Sequence, residues 1–163
     1  MLILFCQGFK LNDQDGNPTG IVVCVAWQLG KEVGHSTKRL GPNASTSDTA
    51  YEAIILATNY IWDCLPKDKE RGPTEIQLTD FNVARDGLKL GSCDHHEHIE
   101  NLAVSLSNIL KTHPLLQISL GWLPATKGSI PLHRLKSITV KMACQGPTMS
   151  LLPPTKAQLH FTA

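Results

Sequence analysis

Three strand-like runs stand back to back in the first 40 residues, joined by turns too short to hold a helix, so the chain must open with an antiparallel meander. The apolar run Leu2 to Phe9 suits a buried strand. It is closed by Asn12-Asp13-Gln14-Asp15-Gly16-Asn17-Pro18, a dense turn signal. Gly20 to Leu29 reads as a second strand, Gly30-Lys31-Glu32 as a hairpin turn, and Val33 to Leu40 as a third, more polar strand.

After Gly41-Pro42-Asn43 the period changes. Ser45 to Asp48 offers several N-cap candidates. Ala50, Ile54, Ala57 and Ile61 then recur at helical spacing, with Tyr51, Ile55 and Trp62 widening the stripe. Pro66 bounds this helix. Glu75 to Thr79 predicts a short strand, Asn82 to Leu88 a short helix, and Asp94 to Thr112 an amphipathic helix with Ile99, Leu102, Leu106, Ile109 and Leu110 on one face. Leu115 to Trp122 is expected as the last strand and Pro131 to Cys144 as the last helix. The order β-β-β-α-β-α-α-β-α implies an α/β fold, a mixed five-stranded sheet with helices on both faces. Three antiparallel strands come first and parallel strands are added to them.

At 163 residues and 42% hydrophobic, the chain suits one domain, expected over 1–144, with a Pro-containing tail over 145–163. A net charge of +1 argues against a strongly basic nucleic-acid binder, because phosphate binding then needs its Lys and Arg gathered on one face. Five widely spaced cysteines without a Cys-x-x-Cys pair point to free thiols in a reducing compartment. The opening apolar run is too short for a signal peptide, and no run approaches the roughly 20 apolar residues of a membrane span. These features predict an intracellular protein, cytoplasmic or nuclear, with no membrane partner.

Four segments carry a more specific signal. They are Leu4-Phe5-Cys6-Gln7-Gly8, Ser45-Thr46-Ser47-Asp48-Thr49-Ala50-Tyr51-Glu52, Leu78-Thr79-Asp80-Phe81-Asn82, and Gly121-Trp122-Leu123-Pro124-Ala125-Thr126-Lys127-Gly128. In this order they resemble the ribonuclease H domain of fungal, LINE-type retrotransposon reverse transcriptases, over roughly residues 2–144. The resemblance implies a ribonuclease H-like architecture. It also implies an activity, cleavage of the RNA strand of an RNA/DNA hybrid with two magnesium ions held by carboxylates.

On that resemblance Glu52 matches the glutamate of the first helix and Asp80 the aspartate ending the fourth strand. Gln7 falls where the first-strand aspartate belongs, Lys136 at the last-helix aspartate, and Thr126 at a histidine that assists product departure. No Asp or Glu follows Glu100. A neutral amide and a cation in place of two carboxylates predict a degenerate site that has lost hybrid cleavage. The Lys136 ammonium would then lie near Glu52 and Asp80 and take over the charge role of the metal.

Without the resemblance, Glu52 is a solvated helix residue and Asp80 a turn or N-cap residue. Lys127, His133, Arg134, Lys136 and Lys141 form the densest basic group; they read as a solvated helix face or, at Lys127 and Arg134, as phosphate contacts. Cys93-Asp94-His95-His96-Glu97-His98 has zinc-type donors but no second ligand pair, and reads as a polar helix start. Trp27, Trp62 and Trp122 are expected in the core. The function expected is a binding or scaffold module for protein or nucleic acid, with no cofactor. The alternatives are a cleft recruited for a metal-independent reaction on a small molecule, and residual ribonuclease H activity with Mg²⁺.

Overall fold

A computed structural model describes residues 1–65, 75–80, 96–122 and 130–145, with backbone alone at Asp80, His96, Trp122 and Gln145. The expected helix 82–88, the residues Cys93, Asp94 and His95, and the tail from 146 onward lie outside it. The elements are β1 Leu2–Asn12, β2 Pro18–Gln28, β3 Lys31–Leu40, α1 Thr46–Cys64, β4 Glu75–Asp80, α2 His96–Thr112, β5 Gln117–Trp122 and α3 Ile130–Gln145.

The first turn is tied by its own aspartate. Asp13 Oδ1 accepts from the backbone N–H groups of Asp15 and Asn17, each at 2.9 Å, and Gly16 supplies the left-handed residue at φ 80°. The second turn falls one position earlier than the Gly30-Lys31-Glu32 motif predicts. Gln28 pairs with Lys31, which leaves Leu29 (φ 54°) and Gly30 (φ 77°) as the two turn residues. Both have positive φ, the requirement of the two-residue turn whose twist matches the flanking strands.

The strand order is β3-β2-β1-β4-β5. β1 pairs antiparallel with β2 and parallel with β4, β2 pairs antiparallel with β3, and β4 pairs parallel with β5. Alternation then divides the side chains between two cores. Leu4, Cys6, Val22, Cys24, Ile76 and Leu78 meet α1 and α2 on one face, while Ile21, Val23 and Val25, with Phe5 and Phe9, meet Leu132, Leu135 and Ile138 of α3 on the other.

Helix α1 begins at a reciprocal cap. Ser45 Oγ accepts from the Asp48 N–H at 3.0 Å, and Asp48 Oδ2 accepts from the Ser45 N–H at 2.8 Å. Its fully buried Ile54 and Ile61 each contribute about 2 kcal/mol of apolar burial. One expectation fails on this helix: Trp62 is 49% exposed rather than in the core. It follows Ile61 by about 100° around the helix, and Ile61 already fills the position facing the sheet. Leu110 of α2 is likewise exposed, beside the buried Ile109.

Candidate functional site beside the end of strand β4

Cys6 pairs with Asp80, the last residue of β4, so Gln7 stands midway along β1, one position past the end of its pairing with β4. Gln7 pairs with Val23 on its other flank and is 9% exposed. It follows Phe5 by two residues and so shares the α3 face of the sheet. Thr79, in register with Phe5, shares that face and is 2% exposed. Among the described residues, Gln7 Oε1 and Thr79 Oγ1 are both buried without a hydrogen-bond partner. Each such atom costs about 1–3 kcal/mol unless water or a ligand meets it.

Gly8, the next residue, sets the approach of α1. A Cβ there would run into the backbone carbonyl of Thr49 in the first turn of the helix. The absence of a side chain lets β1 and α1 touch, and Glu52 lies one turn beyond Thr49.

Two side chains from other elements approach Glu52. Lys38 Nζ of β3 donates to Glu52 Oε2 at 3.3 Å, and His98 Nδ1 of α2 lies 3.3 Å from Glu52 Oε1, off hydrogen-bond alignment. The other ring nitrogen, His98 Nε2, lies 3.0 Å from Asp48 Oδ1. The imidazole also stacks on Tyr51, with centroids 5.8 Å apart and planes 2° from parallel. The Ser45 backbone N–H, and then His98, hold the Asp48 carboxyl below the usual carboxylate range; burial pushes the Tyr51 hydroxyl up.

Among the described residues, the side chains that meet Glu52 are Lys38 and His98, and Lys136 is not one of them. That lysine is exposed on α3, across the sheet from α1. Arg134 Nε donates to Glu32 Oε1 at 2.9 Å and Nη2 to Oε2 at 3.4 Å, so its guanidinium fork is already matched by a carboxylate of β3. Lys136 follows by about 200° around the helix and projects to the opposite flank, the side on which β4 follows β1. Thr126 and Lys127 lie outside the described residues.

Motif order singles out Gln7, Glu52 and Asp80; it does not single out Thr79 beside Asp80, or Lys38 and His98 beside Glu52. One signal was available: Asp48 and Glu52 are four apart on a helix, a like-charge pair that calls for a cation between them. Nothing in the sequence says which cation. Among the described residues, no group of three or more His, Cys, Asp or Glu is placed to hold a metal ion.

The mixed five-stranded sheet with its order β3-β2-β1-β4-β5, clad by helices on both faces, is the ribonuclease H-like fold. No protein-family model matches the chain, and no curated protein matches it. Solved structures do match. RNase H1 from the halophilic archaeon Halobacterium salinarum NRC-1 aligns with a TM-score of 0.57 at 18% identity, over 83% of this chain and 92% of that one. LC11-RNase H1, isolated from compost and solved with an RNA/DNA hybrid, aligns at 0.60 and 14%, over 83% and 93%. The prototype foamy virus protease-reverse transcriptase aligns at 0.54 and 15%, over 89% of this chain and 20% of that one.

Proposed function

We propose that this chain is a ribonuclease H-like protein of retrotransposon descent that has lost two-metal cleavage of RNA/DNA hybrids and serves as a binding or scaffold module for protein or nucleic acid. The observation that carries the reading is Gln7, an uncharged amide in a buried position beside the end of β4. Magnesium needs near-octahedral oxygen ligands, with carboxylate charge to offset its own. Gln7 brings one neutral oxygen, and Glu52 already faces the Lys38 ammonium, 3.3 Å from its Oε2. These donors do not fit a two-ion cage. A scaffold role needs no intact cage, and none of the described helices is long and apolar enough to cross a membrane.

Calorimetric titration with magnesium tests this directly. The wild type is expected to give no stoichiometric heat, and the Gln7→Asp/Lys136→Asp variant, which restores both carboxylates, is expected to gain it. Tight, stoichiometric binding by the wild type counts against the proposal. A second reading, recruitment of the cleft for a small molecule, draws on Gln7 Oε1 and Thr79 Oγ1, which have no partner among the described residues and which a ligand's polar group would satisfy.

A further inference from the structure

The opposite end of the sheet carries a hollow that the cleft does not use. It lies between the start of β1, the β2–β3 hairpin and the last turn of α1, with a volume of about 130 Å³. Leu2, Val33, Ile61 and Leu65 form apolar walls, and Tyr60 and Cys64 add a hydroxyl and a thiol. Burial, and then the Cys64 hydrogen bond, pushes the Tyr60 hydroxyl up to about 12, so the phenol stays neutral. The hollow is uncharged, and it is leucine-sized: an engineered core cavity on the order of 150 Å³ stays dry and takes a benzene.

Beside it stands a leucine with no evident place in the fold. Leu29 follows the lining residue Gln28, occupies the hairpin tip, and is 91% exposed. Its φ of 54° lies in the left-handed region, which costs a non-glycine residue about 1 kcal/mol. A turn of this type favours Asn or Gly there on backbone grounds, and solvent disfavours an apolar tip. A residue unfavourable on both counts points to a contact beyond the monomer.

We infer that the hollow takes Leu29 of a second copy of this chain. Knob and hole are neighbours along the β2–β3 hairpin, Leu29 following the lining residue Gln28 and Val33 lying four residues on, and a self-complementary patch of this kind is what an isologous contact requires. A two-fold axis passing between them seats each Leu29 in the other copy's hollow at the same time. Val33, 50% exposed at the mouth, lies on the apolar rim around that contact. The pairing joins two domains away from Gln7 and Glu52. It extends the scaffold reading but does not depend on the state of the cleft, because oligomeric state and magnesium binding are measured separately.

Sedimentation velocity on the full chain, from micromolar to near-millimolar concentration, tests the pairing. The wild type is expected to show a reversible monomer–dimer equilibrium. Leu29→Asn removes the knob while improving the turn, so the variant folds, melts higher as a monomer, and associates about a hundredfold or more weakly, since one dimer loses two buried leucines. Val33→Lys, which places a charge at the mouth, is expected to weaken association in the same way. A wild type that stays monomeric throughout overturns the inference and leaves the hollow to residues 146–163 or to a foreign chain. Self-association that survives either substitution also overturns it.

Discussion

Asp48 does two jobs with one carboxylate. It closes the cap of α1 through the Ser45 N–H and meets His98 from α2. Both contacts favour its charged form, so its folded pKa lies below the unfolded value of about 3.9. The linkage then has a fixed sign. Its stabilising contribution is fully present above the unfolded pKa and is lost as pH falls through the folded one. Asp48→Asn is expected to lower stability at neutral pH and to flatten the acid limb, as read by urea unfolding at a series of pH values. An acid limb as steep as wild type would contradict this. At this scale the sequence was only partly legible. Ser45 to Asp48 announced a helix start, but His98 is brought to Asp48 and Glu52 by the packing of α2 on α1, which no local pattern encodes.

The same boundary recurs at the scale of elements. Alternation and helical spacing located β1 to β5 and the three described helices, because each depends on which residues one face must bury. Element ends drifted where turn chemistry competed. The hairpin turned at Leu29-Gly30, against the left-handed cost to leucine, and Trp62 turned outward once Ile61 had taken the inner position. Packing between elements sets Gly8. Its backbone lies against the Thr49 carbonyl, and an added methyl must push α1 off β1. Gly8→Ala is therefore expected to cost about 1–3 kcal/mol or more by overpacking, a loss visible as a lower urea midpoint at unchanged slope. A midpoint equal to wild type would mean that the helix does not approach β1 at this position.

Across the whole molecule, the groups that the motif order gathers are supplied by elements on both faces of the sheet. Gln7, Thr79 and Lys136 belong to the α3 side; Glu52 and its neighbours Lys38 and His98 belong to the α1 side. The fold was legible because strand order and apolar faces follow from the linear pattern. The partners of Glu52 were not, because one comes from the edge strand and the other from a helix far along the chain. On the proposed reading, a carboxylate that faces the Lys38 ammonium and a buried amide beside the end of β4 leave little negative charge for divalent ions. The most direct test is cleavage of a labelled RNA/DNA hybrid in magnesium or manganese by the wild type and by Asp80→Asn. The account predicts no product above the enzyme-free background from either protein; metal-dependent cleavage by the wild type that Asp80→Asn abolishes would contradict it.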